Sequence, residues 1–313
     1  MFDWLGSLRD IMSSSLDNSQ IPFPFDRSIC DKWREGLEFS PSKERIIYTS
    51  CMYPLAPVIR IAVDRLESLS ATGGGIRSRL VSLGARAFGR LLLKPSQDEV
   101  ERASRVLRSI HNLLKTSGVS LGVLEDEPYS GALLYELGLV EDFAAYARKV
   151  HEYFKANGVR EIVTTDPHTQ YVLERAYPRY VPGFDLKVTS YLDLLDAKRV
   201  RAKPGTYVVH DSCIYSRHLN KYGLIRGLLK DVTLVEDPAI TGRESSKCCG
   251  GPIESTYPEV AGAVSASRVR DLSKLSKNVI LECPICYANL SRAAEKLKVQ
   301  MNFYDLAEIL EVI

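Results

Sequence analysis

The chain has no apolar run near the roughly 18 residues of a membrane-spanning helix, so no span is expected. It has almost no charge excess. The 41 Lys and Arg against 39 Asp and Glu leave a formal +2, too little to argue for nucleic acid as a partner. The opening Met1-Phe-Asp-Trp-Leu-Gly-Ser-Leu-Arg-Asp10 lacks the charged-then-apolar layout of a secretory signal, so a cytoplasmic location is the expectation. Cysteine is scarce: seven in 313 residues are too few, and odd in number, for a disulfide scaffold. What remains is an ordinary soluble composition, 45% apolar and 26% charged, in a chain long enough for two domains.

Five of the seven cysteines fall into one pattern, Cys213-x34-Cys248-Cys249-x33-Cys283-x2-Cys286. In a reducing compartment clustered cysteines read as metal ligands or catalytic groups. Five thiolates at one place exceed the four ligands of tetrahedral zinc. Soft thiolate sets otherwise select iron–sulfur clusters or copper. Cys213 follows the strand-like run Tyr207-Val-Val-His-Asp211, and Cys283 follows Val279-Ile-Leu281. In an open α/β sheet both lie at carboxyl edges of strands, where such folds place their sites.

The first part of the chain repeats the second without its thiols. Residues 159–176 and 276–293 both read as strand, tight proline turn and helix, with Asp166 in the place of Cys283 and Thr169 in that of Cys286. Tyr129-Ser130-Gly131 stands for Cys248-Cys249-Gly250, and Cys51 for Cys213. Strands are expected at 46–49, 121–124, 162–165, 207–210, 232–236 and 279–281, each short and bounded by polar or Gly/Pro signals. Helical periodicities lie between them: Val100, Ala103, Val106, Leu107, Ile110 and Leu113, then Val260, Ala263, Val264, Val269 and Leu272. Strands alternating with helices predict parallel sheets with helices outside. The expected fold is α/β: two pseudo-twofold-related Rossmann-like halves with mostly parallel sheets, residues 46–200 and 201–313, facing a shared cleft.

Two segments fall outside the repeat. An N-terminal helical arm (1–45) carries Phe2, Leu5, Leu8, Met12 and Leu16, then Ile21-Pro-Phe-Pro-Phe25. It is expected to pack on the body, with partner docking or a membrane-surface helix as alternatives. A helical insertion near 71–95 opens with Gly73-Gly74-Gly75 and carries Arg77, Arg79, Arg86, Arg90 and Lys94. Its basic face reads as a solvated surface, with anionic lipid or an acidic partner as alternatives.

In His210-Asp-Ser-Cys-Ile-Tyr-Ser-Arg-His218, Cys248-Cys-Gly-Gly251 and Cys283-Pro-Ile-Cys286, the chain resembles the cysteine-rich CCG-domain family of iron–sulfur oxidoreductases. That family includes the B and D polypeptides of heterodisulfide reductase and the iron–sulfur subunits of anaerobic glycerol-3-phosphate dehydrogenase, glycolate oxidase and lactate utilisation. Ile21-Pro-Phe-Pro and Trp33-Arg-Glu-Gly-Leu37 resemble the linker that joins a ferredoxin domain in larger members. The resemblance covers most of residues 20–313. It implies one noncubane 4Fe–4S cluster held by Cys213, Cys248, Cys249, Cys283 and Cys286 with Gly250 against it; zinc is the alternative. It implies an electron-transfer or catalytic subunit working between a flavin or ferredoxin partner and a thiol/disulfide, a 2-hydroxy-acid dehydrogenase or a quinone. The alternative is a non-catalytic assembly or membrane-anchoring subunit of a respiratory complex. The first half departs from the pattern, keeping only Cys51, so the two-cluster chemistry of heterodisulfide reductase is not expected. No Cys-x2-Cys-x2-Cys run is present, which calls for a separate ferredoxin-type iron–sulfur subunit or flavoprotein, and for membrane contact only peripherally, through the complex.

Within this reading Cys213, Cys249 and His218 are the catalytic candidates. His210 and His218 flank Cys213, suited to donate to the cluster or protonate a departing thiolate, or simply to structural hydrogen bonding. Arg217 is placed to neutralise cluster or substrate charge. Asp166 and His168 face the cleft as catalytic or zinc-ligating groups, or as a relic turn. Cys51, opposite Cys213, and Cys30 are candidates for a redox or ligand role, and Ser130 is a passive replacement. Gly250 and Gly251 let backbone amides approach the sulfurs. Pro284 opens a helix that sets Cys283 and Cys286 one turn apart at its positive end.

Overall fold

Ile46, Ile47 and Tyr48 are fully buried in succession, as in a strand of a parallel sheet covered on both faces. The structure, a computed structural model, describes residues 2–70 and 93–313, with the side chains of 2–4 and 66–70 excepted. In the first half β1 (Arg45–Tyr48) pairs in parallel with β2 (Glu161–Thr164), and β2 with β3 (Lys187–Ser190). β4 (Val200–Ala202) leads into the second half. There β5 (Thr206–Val209) lies between β6 (Thr233–Leu234) and β7 (Asn278–Leu281), with β8 (Asn302–Asp305) outside β7, again all parallel. β9 (Leu310–Val312) then returns antiparallel onto β4.

Helices fill the crossovers: α1 (Phe2–Ser19), α2 (Met52–Ser70), α3 (Gln97–Thr116), α4 (Ala132–Glu136), α5 (Val140–Ala156), α6 (Pro167–Tyr171), α7 (Tyr191–Leu194), α8 (Pro258–Ser273), α9 (Pro284–Leu297) and α10 (Leu306–Ile309). The two halves repeat down to their caps. Ser190 with Asp193 and Asp305 with Glu308 form the same capping box at the starts of α7 and α10, each directly after an outer strand. β4 and β9, the strands that follow α7 and α10, pair antiparallel with each other, as equal strands across a twofold axis must.

The arm packs on the body. Leu8, Ile11, Met12, Leu16, Ile21, Phe23 and Phe25 are buried, each such side chain contributing about 1.5–3 kcal/mol. The insertion expected near 71–95 lies, over 71–92, outside the described residues. Among those described, no helix is long and apolar enough to cross a membrane.

The structure corrects three details. Residues 121–124 form no strand but a single parallel bridge, Gly122 to Ile46. A Cβ at Gly122 would lie 2.2 Å from the Ser42 carbonyl oxygen, so the incoming backbone crowds this edge. Strands β3, β4, β8 and β9 carry too few consecutive apolar residues to stand out, because they lie at sheet edges. The buried face of α8 is Ala261, Ser265, Arg268, Val269 and Leu272, while Val260 and Val264 are exposed. Apolar and polar residues are spread over more than one face of the helix, and close approach decides which side turns inward. The Gly250 loop touches the backbone at Ala261, and Ser265 Oγ donates to the Cys249 carbonyl oxygen at 2.6 Å.

Candidate metal centre

The five thiols meet at the carboxyl ends of β5 and β7. The turn after β5 carries Cys213. Its shape is fixed by Asp211, fully buried and held bidentately by Arg226 at 2.8 and 2.9 Å, and by Glu282, whose Oε1 accepts the Ser212 amide at 2.6 Å. Cys213 Sγ lies 3.8 Å from Cys248 Sγ. The chain of side-chain contacts continues from Cys248 to Cys249, from Cys249 to Cys286, and from Cys286 to Cys283. None of the five is in a disulfide; Cys249, Cys283 and Cys286 are buried and Cys213 and Cys248 half-buried.

Backbone amides point at the sulfurs. The Gly250 amide donates to Cys248 Sγ at 3.4 Å. Gly250 has φ +100°, and a Cβ there would sit 2.6 Å from the Ala261 carbonyl oxygen, so only glycine fits. Gly251 plays another part: its carbonyl oxygen lies 3.4 Å from Cys248 Sγ. Cys283 is the N-cap of α9, and its sulfur accepts the Cys286 amide at 3.4 Å. Asp166 is the N-cap of α6 and accepts the Thr169 amide at 2.9 Å. Carboxylate and thiolate thus do the same local work, so the same helix start forms in both halves whether or not a thiol is present. Gly131 matches Gly250 in carrying a positive φ.

The thiols divide electrostatically. Hydrogen bonds from Cys213 and Cys249 bring Cys248 down to about 2. Burial pushes Cys283 up, but hydrogen bonding to Cys286 and the charge of His168 more than offset it, leaving it at about 5. Cys213 and Cys249 are raised chiefly by sharing hydrogen bonds with Cys248, and Cys286 by sharing them with Cys249 and then Cys283. A set of more than four converging soft donors, buried and met by backbone N–H groups, fits an iron–sulfur cluster.

His210 is completely buried, with a ring nitrogen within 4.8 Å of Cys249 Sγ and Cys286 Sγ. Its Nδ1 accepts a hydrogen bond from Arg268 Nε at 2.9 Å. Arginine can only donate, so the ring proton sits on Nε2, which is buried and makes no hydrogen bond within the protein. Burial and the Arg268 charge hold the ring's pKa well below its usual range. His210 is therefore a neutral imidazole beside the thiols, with Nδ1 already engaged. Arg268 itself is nine-tenths buried or more and was missed in the sequence; a charged residue in register with Ala261, Ser265 and Leu272 was the available signal.

Other expectations need correction. Cys51 does not face Cys213 as a thiol: it forms a disulfide with Cys30 of the arm. Ser50 and Cys51 both adopt left-handed backbone (φ 51° and 54°). The buried Glu127 carboxylate fixes that turn, accepting from Thr49 N, Thr49 Oγ1 and Ser50 N at 3.0, 2.7 and 2.7 Å. Ser130 Oγ accepts from Ser50 Oγ at 2.8 Å, a structural contact. Arg217 and His218 are exposed, and the His218 ring rests on Tyr171 with centroids 5.4 Å apart. His168 does reach the centre. Its Nε2 lies 3.3 Å from Cys283 Sγ, and its Nδ1 2.5 Å from Glu136 Oε1. Glu136, on α4, carries no motif that announces it.

Residues 207–291 match the cysteine-rich CCG domain family. A Bacillus subtilis protein named as an iron–sulfur-binding oxidoreductase, FadF, is 30% identical over 67% of this chain and 31% of its own length. The D polypeptide of dihydromethanophenazine:CoB–CoM heterodisulfide reductase from Methanosarcina barkeri is 26% identical over 63% of this chain and 52% of its own. The EtfAB:quinone oxidoreductase of Syntrophomonas wolfei is 26% identical over 67% of this chain and 32% of its own. The chain thus spans between a third and a half of these curated relatives. Residues 207–291, which hold all five converging thiols, are thus a cysteine-rich domain of the CCG family, and this chain's relatives are named as iron–sulfur oxidoreductases and heterodisulfide reductase subunits.

Proposed function

We propose that this chain is the iron–sulfur electron-transfer subunit of a heterodisulfide reductase-like complex. Cys213, Cys248, Cys249, Cys283 and Cys286 hold one 4Fe–4S cluster, of the noncubane kind because a fifth thiolate is available to bridge. The observation that carries the reading is the meeting of these five sulfurs at one pair of strand ends, beside amides and a buried imidazole N–H. The cluster, when bound, supplies the electron-accepting centre. The protein's own part is to hold it and stabilise added negative charge. Gly250 N–H and Cys286 N–H both point at sulfur, and such donors raise a reduction potential. Residues 201–313 form the cluster-binding half and 46–200 its degenerate counterpart. The relatives' names point to partner subunits; we take the immediate donor to be a ferredoxin-type or flavin subunit, and the acceptor a thiol/disulfide or quinone.

Anaerobically purified protein is expected to carry iron and acid-labile sulfide and to give a paramagnetic signal on redox titration. Single Ser substitutions at Cys213, Cys249 or Cys286 should lower iron content and change the signal. Stoichiometric zinc without iron would end this reading.

A further inference from the structure

The thiols are approached by two buried histidines with opposite hydrogen-bond polarity. His210 receives a proton donor on Nδ1, so its Nε2 is occupied by hydrogen. His168 is the reverse. Its Nδ1 faces the Glu136 carboxylate at 2.5 Å, an acceptor only, so Nδ1 carries hydrogen and Nε2 is the atom left for the thiols. Metal-bound histidines are held this way, with the far ring nitrogen donating to a carboxylate that fixes the tautomer and increases basicity.

Position and distance agree. His168 Nε2 lies 3.3 Å from Cys283 Sγ. Two donor atoms on one tetrahedral metal, with metal–sulfur and metal–nitrogen bonds of about 2.3 and 2.0 Å, sit about 3.5 Å apart. The ring is 5% exposed, so the site needs no large movement of a surface side chain. It is also pre-set by its backbone. Pro167 opens α6 and the Asp166 N-cap bond to Thr169 N holds the turn.

We infer that His168, supplied by the half that has lost its thiols, is a direct iron ligand of the centre whose five thiolates come from the other half. This rests on the iron–sulfur reading above. A neutral imidazole beside thiolates makes the centre easier to reduce than an all-thiolate one, as replacing cysteine by histidine does in two-iron centres.

The test is pulsed electron paramagnetic resonance of the anaerobic holoprotein, prepared with natural and with 15N-labelled histidine, in the wild type and in His168→Gln and His210→Gln. One strongly coupled imidazole nitrogen is expected, altered by the isotope, lost in His168→Gln and kept in His210→Gln. A centre loaded with iron and sulfide that shows no such nitrogen overturns this inference alone, as does a coupling that survives His168→Gln. Protein with no iron overturns it together with the function proposed. Should His168→Gln fail to fold, Glu136→Gln keeps the imidazole and weakens the acceptor of its Nδ1–H. The coupling should persist and the midpoint potential rise; an unmoved midpoint counts against ligation.

Discussion

Removing the Cys30–Cys51 disulfide separates two roles that one cysteine could have had. The bond closes a loop with a sequence separation of 21 and ties the arm to the start of α2. Chain-entropy reasoning gives such a loop about 3 kcal/mol of stabilisation. At this chain size that corresponds to roughly 6 °C in Tm, at about 2 °C per kcal/mol. The perturbation is the double substitution Cys30→Ser with Cys51→Ser, which leaves no odd thiol behind. Thermal unfolding followed by tryptophan fluorescence is suitable, because Trp33 lies three residues from Cys30 and is fully buried. The midpoint should fall by the stated amount while iron per chain stays at the wild-type value, since the five ligating sulfurs lie elsewhere. Thiol counting gives a second check: unreduced, denatured apoprotein should show five reactive thiols out of seven. Seven thiols, or a loss of iron in the double variant, would refute the reasoning.

Gly250→Ala forces a side chain into a φ of +100° and against the Ala261 carbonyl; strain of ~1–3 kcal/mol is expected, read as iron lost on gel filtration. Asp305 is buried, and burial first, then the neighbouring Glu308 charge, lift its carboxyl to about 7. Its folded pKa exceeds the unfolded one, so its contribution is full below about pH 4 and is lost as pH rises through about 7. Asp305→Asn should therefore unfold at higher urea than wild type at pH 8, with the gap closing by pH 4; an equal gap at both would count against a titrating Asp305. Arg9→Ala breaks a half-exposed pair with Asp142 at 2.7 Å and should leave the urea midpoint close to the wild-type value.

Much of the site was legible because its chemistry and its local structure use the same residues. Cys283-Pro-Ile-Cys286 announces both a thiolate pair and the first turn of α9, and Cys248-Cys249-Gly250 both a ligand pair and a positive φ. The repeat was legible for a similar reason: Asp166 replaces Cys283 without losing the N-cap, so the pattern outlived the metal chemistry. What stayed hidden depends on tertiary approach. Nothing near Glu136 marks it as the partner of His168, because the two are 32 residues apart and meet only through folding. The Cys30–Cys51 pairing was masked by symmetry, which set Cys51 opposite Cys213; the left-handed turn held by Glu127 directs it elsewhere. On α8 the apolar pattern was ambiguous, and the nearby glycine loop, not hydrophobicity, chose the inner side.

The antiparallel pairing of β4 with β9 has a consequence for how such a protein diverges. Equivalent ribbons clasp one another at the base, so the two lobes stay joined whatever happens at the opposite rim. Selection could then strip sulfur from one lobe without loosening the pair. The lobe without the thiols is then free to differ at that rim, where it sets His168, backed by Glu136, against Cys283.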